Sequence, residues 1–189
     1  MAIPQSVKQG GPYIFFYPAT PDCHKNFELL LEASRLLEQK LGENCFKTVI
    51  TLNGKENKYS KWLYGQWGKQ QSIEFKGFLS KEQLAQTYAD SDCLVFPSRV
   101  ETWGLPISEF AATGKPILLA DLPYAHETAA GYKSALFFDS SDAKDLAQKM
   151  KSLVEGNARL EHVPEVMRKD PFAPDWAKMF DYLLKKSEF

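Results

Sequence analysis

The sequence predicts an α/β protein with one doubly wound, six-stranded parallel sheet in the order 3-2-1-4-5-6. Three observations carry this. Short apolar runs alternate with helical stretches in a steady rhythm, several of the helical stretches close on a glycine, and the 44% apolar content of 189 residues is ample for one large core. Strands separated by helices pair in parallel through right-handed crossovers, which leaves the sheet covered on both faces.

The strands are expected at Tyr13–Tyr17, Lys47–Leu52, Ile73–Phe78, Leu94–Phe96, Ile117–Ala120 and Ala135–Phe138, each a short apolar run of buried type. The first helix is expected over Asn26–Leu41, where Phe27, Leu30, Leu31, Leu36, Leu37 and Leu41 form a stripe ending at Gly42. An aromatic-rich helix follows over Asn57–Gly68, and Ser80 with Gln83 forms a capping box for Lys81–Ala89. Pro106–Thr113 stops at Gly114, and Tyr124–Ala130 stops at Gly131. Asp142–Val154 and Asp175–Lys185 complete the set, the last carrying Trp176, Met179, Phe180, Leu183 and Leu184 on one side. Residues 1–12 read as a linker or tail, and 13–189 as one domain. The Pro-punctuated stretch from Gly156 to Pro174 suits a segment that leaves the main fold before the last helix.

Charge excludes some functions. Lysines and arginines number 23 against 24 acids, and no basic stripe carries interleaved aromatics, which argues against a nucleic-acid partner. No apolar run approaches a membrane span, and the first residues lack the pattern of a signal peptide, so a cytoplasmic location is expected. Cys23, Cys45 and Cys93 are odd in number and widely spaced, with no zinc-ligand pattern near them.

The most informative segment follows the fourth strand. Glu101 and Glu109 bracket Thr102-Trp103-Gly104-Leu105-Pro106-Ile107-Ser108, with Glu101 before a helix and Glu109 expected in its first turn. A strand leading through glycine into a helix lets backbone approach a ligand with N–H groups outward, as phosphates require. Carboxylates add acceptors for sugar hydroxyls, so the combination points to a sugar nucleotide. In the predicted strand order the sheet reverses between its first and fourth strands. The loops Pro18–Lys25 and Pro97–Gly104 therefore meet at the crevice where such sheets bind ligands.

The run FPSRVETWGLPISEFAATGKPILLADLPYAHE resembles the C-terminal, donor-binding domain of retaining GT-B glycosyltransferases of the group 1 or family 4 type, marked by E-x7-E after a strand ending in Pro-Ser. Lys25-Asn26-Phe27-Glu28 resembles the opening of that family's first helix, and IEFKGF at Ile73–Phe78 its V-x-F-x-G turn. Gly114-Lys115-Pro116-Ile117 resembles G-x-P-V/I, and Phe137-Phe138-Asp139 with Asp142 and Leu146-Ala147 resembles the end of the fold. The resemblance implies a Rossmann-like domain that is one half of a GT-B fold. It implies that Glu109 accepts hydrogen bonds from ribose, that Glu101 lies by the donor sugar, and that Gly104 and Leu105 present backbone to sugar or diphosphate. Lys25 would offset diphosphate charge.

Gly77 and Phe78 would lie against the base, the turn's backbone reading the base edge, and Glu127 matches a recurrent glutamate near the pocket. His126 is set aside as a surface loop residue. No Asp-x-Asp motif at a strand end marks a metal site, so the implied chemistry needs no metal or other cofactor.

Two departures stand out. The loop after the first strand offers Asp22 where many members place a second cation, and the chain has room for only one half of the two-domain architecture. The implied partners are a UDP- or GDP-sugar, an N-terminal acceptor domain to which 156–189 would cross, and a glycan or lipid-linked glycan acceptor. The implied place of the full-length parent is the cytoplasm, or the inner face of the membrane. Two alternatives remain at this point: a sugar-nucleotide epimerase of the same architecture, and a non-catalytic binding module.

Overall fold

The computed structural model describes residues 11–166, 173 and 175–184. The strands are β1 (Tyr13–Tyr17), β2 (Phe46–Ile50), β3 (Ile73–Phe75), β4 (Cys93–Phe96), β5 (Ile117–Ala120) and β6 (Ala135–Phe138). The helices are α1 (Phe27–Leu41), α2 (Lys58–Trp67), α3 (Lys81–Asp90), α4 (Leu105–Ala111), α5 (Pro123–Thr128), α6 (Ala143–Val154) and α7 (Trp176–Leu184). All six strands pair in parallel, in the order β3-β2-β1-β4-β5-β6 that the alternation predicts.

Side chains of β1 show how the two faces are filled. Alternation sends Phe16 to one face and Tyr17 to the other. Tyr17 packs on Phe27 of α1 with ring centroids 4.9 Å apart, and Phe16 packs edge-on to Tyr88 of α3 at 5.6 Å. Both are fully buried. Covering on both sides is why β4 and β5 are apolar at every position, Cys93 to Phe96 and Ile117 to Ala120.

Strand ends differ from the apolar runs for local reasons. β2 stops at Ile50 because the Thr51 hydroxyl takes over the pairing, accepting from Ala19 N–H at 2.9 Å and donating to its carbonyl at 3.0 Å. β3 stops at Phe75, yet Lys76 and Gly77 still donate to the carbonyls of Ile50 and Leu52. Gly77 then turns the chain at φ 79°. α4 ends at Ala111, and Thr113 and Gly114 close it with tighter bonds to Phe110 and Ala111.

Caps follow the sequence closely. Ser80 and Gln83 form both halves of the capping box, and Asn57 with Ser60 forms another at the start of α2. Lys115 donates to the carbonyls of Tyr88, Ala89 and Ser91, a cation where the α3 dipole is negative. Beyond α6 the chain does not leave at once. Glu161 forms an antiparallel bridge with Ala135 at the sheet edge, and Val163 is buried. The apolar side of α7 is open, with Trp176 72% and Leu184 73% exposed. Among the described residues no helix is long and apolar enough to cross a membrane.

Candidate functional site

The site is assembled where β1 and β4 end side by side. After β1, a short 3-10 turn at Cys23–Lys25 is followed by Asn26, the one described non-glycine residue with positive φ, at 57°. Asparagine tolerates the left-handed region better than most residues, and this kink lets α1 start at Phe27, directly after Asn26. The Asn26 amide donates to Pro97 O at 3.1 Å and Ser140 O at 3.0 Å. One side chain thus ties the turn after β1 to the loops after β4 and β6.

A row of hydroxyls reinforces it. Tyr17 donates to the Lys25 carbonyl at 2.9 Å. Its single proton is then spent, so the Ser98 hydroxyl, also 2.9 Å away, is the donor to Tyr17. Tyr124 donates to the Ser98 carbonyl at 2.7 Å, and Arg99 N–H donates to His24 O at 2.8 Å. Burial, more than the nearby Glu101 charge, pushes the Tyr17 and Tyr124 phenols up, which keeps both as donors.

On this frame the Lys25 ammonium meets the Glu101 carboxylate at 2.6 Å, with the two side chains only 16% and 11% exposed. Such a pair is weakly screened by solvent and holds its geometry. Its members come from residues 76 positions apart, joined only by the strand order.

Glu109 requires a correction. It is the fifth residue of α4, whose first turn contains no acid, so the helix dipole does not explain its placement. It is solvent-exposed, and one oxygen accepts from the Tyr88 hydroxyl of α3 at 2.9 Å. Gly104 caps α4 in the left-handed region at φ 83°, buried against Phe96 and Ile107, while Leu105 is exposed. Trp103 beside them donates from its indole to Ser108 at 3.0 Å, and its carbonyl accepts from Thr128.

The remaining expected residues lie further out. Gly77 is buried and its N–H is already given to Leu52 O at 3.0 Å, so the turn cannot use that group to read a base edge. Phe78 next to it is 89% exposed. Glu127 sits exposed on α5. His126 stacks on Phe137 with centroids 4.0 Å apart and pairs with Asp121 at 2.7 Å, a role that keeps it in the surface. The Asp22 carboxylate accepts from the Thr20 hydroxyl at 2.7 Å.

Sequence reasoning brought Lys25 and Glu101 together correctly and missed what holds them. Tyr17 reads as one more apolar residue of a buried strand, and Tyr88 as one more residue of the capped helix. Only Asn26, polar at a strand-to-helix junction, carried a visible signal.

Solved structures share this fold. A mutant of S. aureus TarM crystallised with fondaparinux, α-GlcNAc-glycerol and UDP superposes with a TM-score of 0.64 at 18% identity, covering 82% of this chain and 31% of that one. Sucrose-phosphate synthase from Thermosynechococcus elongatus gives 0.62 at 19% identity, over 78% of this chain and 37% of that one.

Among sequences, a sulfoquinovosyl transferase, SQD2 of Arabidopsis thaliana, is 29% identical over 105 residues, which are 54% of this chain and 21% of that protein. The serotype-specific mannosyltransferase WbdA of Escherichia coli is 35% identical over 83 residues, 42% of this chain and 10% of that protein. The match thus spans 21% of the length of the first of these relatives and 10% of the second. The family model for glycosyl transferases group 1 matches residues 2–170, nearly the whole sequence, and the chain belongs to that family of glycosyltransferases.

Proposed function

We propose that this chain is the donor-binding part of a retaining glycosyltransferase that moves a hexose from a UDP- or GDP-sugar to a glycan acceptor, in the synthesis of cell-surface polysaccharide. The observation that carries the reading is the sheltered Lys25–Glu101 pair at the crevice between the ends of β1 and β4. Family membership supplies the reaction class, and UDP, held by a protein of the same fold, is the natural first ligand to try.

In this proposal the anomeric carbon–oxygen bond to the diphosphate breaks while the acceptor oxygen attacks from the same face. The acceptor proton passes to a diphosphate oxygen. Lys25 stabilises the charge that develops on the leaving group, in a site where a fixed cation counts for more than in water. Glu101, released from Lys25, accepts from sugar hydroxyls, and the exposed oxygen of Glu109 accepts from ribose while Tyr88 holds the other.

Isothermal titration tests this. UDP- or GDP-hexose should bind without divalent metal and lose its heat in Glu109→Ala. No uptake of any nucleotide by the intact chain would overturn the reading.

A further inference from the structure

A concavity lies on the face of the sheet that α1, α2 and α6 cover. Its volume is about 390 Å³, and its walls include Asn26, Glu28, Glu32, Trp67, Arg99 and Ser141. Asn26 adjoins Lys25 in the chain, and Arg99 is two residues from Glu101, so the cavity opens next to the proposed donor site.

Its chemistry is distinctive. Trp67 supplies an indole wall, and Trp62 continues it, edge-on to Trp67 with ring centroids 5.6 Å apart. Trp62 in turn stacks on Tyr59 at 6.2 Å and 20°. It remains 47% exposed although it is one of the largest apolar side chains. Around the aromatics stand groups that hydrogen-bond in both directions. Glu28 accepts from Tyr59, and Glu32 accepts two bonds from Arg35 at 2.6 and 2.8 Å, which leaves carboxylate lone pairs over. Arg99 has no ion pair with a described residue, and the buried Asn26 Oδ1 has no partner.

Two carboxylates in one wall repel phosphate, which argues against a second nucleotide. A neutral ligand rich in hydroxyls, with one flat apolar face, fits instead. A pyranose ring is such a ligand: its C–H face lies on the negative face of an aromatic, and its rim of hydroxyls needs acceptors and donors together.

We infer that this cavity and the Trp67–Trp62 ledge bind a neutral hexose oligosaccharide. This sugar site stands independently of the donor reading of Lys25 and Glu101: the rings would lie along Trp67 and Trp62, with one end toward Asn26 and Arg99.

Saturation-transfer NMR on the 189-residue chain, with a panel of neutral gluco-, manno- and galacto-oligosaccharides of three to six hexoses, tests it. Ring protons of at least one oligosaccharide should show transfer, and Trp67→Leu or Trp62→Ala should weaken binding about tenfold, near 1.4 kcal/mol. Trp62→Ala, half in solvent, keeps the test decisive should Trp67→Leu not fold. Titration with UDP on the same samples separates the two readings. Sugar binding with no UDP binding sinks the donor site and leaves this one, whereas UDP binding with no oligosaccharide transfer overturns the inference. Equal sugar binding by the wild-type chain and both variants also overturns it.

Discussion

Glu101 holds the Lys25 ammonium that the proposed function assigns to a diphosphate. The two meet at 2.6 Å and are largely sheltered; under the proposed donor reading the carboxylate stands in for diphosphate, and ligand has to displace it. Glu101→Gln should therefore bind free UDP or GDP severalfold more tightly, while the gain in affinity that the sugar adds to the nucleotide shrinks. Titrating nucleotide and nucleotide sugar side by side checks this; unchanged UDP affinity would mean that Lys25 is not the diphosphate group. Tyr17 works one step back. Tyr17→Phe leaves the buried Lys25 carbonyl and Ser98 hydroxyl without their partner, at about 1–3 kcal/mol, and should lower the melting temperature by several degrees. At this scale the sequence was half legible. Charged residues in a loop announce themselves, but a phenol that bonds through its tip is indistinguishable by pattern from one that only packs.

Elements were more readable than residues. Continuous apolar runs mark strands covered on both faces, and glycines and capping boxes mark helix ends, so each described strand and helix falls where expected within a few residues. The misplaced ends have local causes, the Thr51 hydroxyl at β2 and the positive φ of Gly77 after β3, which periodicity cannot register. Glu109 was drawn toward the helix start for the same reason: the αL residue Gly104 sets where α4 begins, and φ is not written in composition. That glycine offers a controlled comparison. Gly104→Ala forces a Cβ into the left-handed region about 3.1 Å from Ile107 Cδ1 and 3.4 Å from Phe96, costing about 1–2 kcal/mol or more and shifting the α4 that carries Glu109. Gly114→Ala meets the same backbone penalty at φ 72° but open space. Both should lose stability in a denaturant melt, and only Gly104→Ala should also lose nucleotide sugar.

Across the whole molecule the topology brings Lys25 and Glu101 together from the corresponding loops of two distant βα units, through the reversal between β1 and β4. The same packing buries phenols. Tyr13, Tyr17, Tyr59, Tyr88 and Tyr124 are all pushed up from the ordinary 10.0, chiefly by burial, and Tyr132 is pushed up to about 12. A raised phenol favours the fold below its unfolded value, so stability should be full below pH 10 and fall as pH rises beyond it. Phenolate absorbance should then rise together with the loss of far-ultraviolet signal, not ahead of it. The central claim, that paired acids and a lysine line one hollow for a diphosphate-linked sugar, is met most directly by a crystal structure of the chain with UDP or GDP bound. The account predicts diphosphate oxygens within hydrogen-bonding distance of Lys25 and the ribose hydroxyls on Glu109. A nucleotide seated elsewhere on the surface, with the Lys25–Glu101 pair still closed, would contradict it.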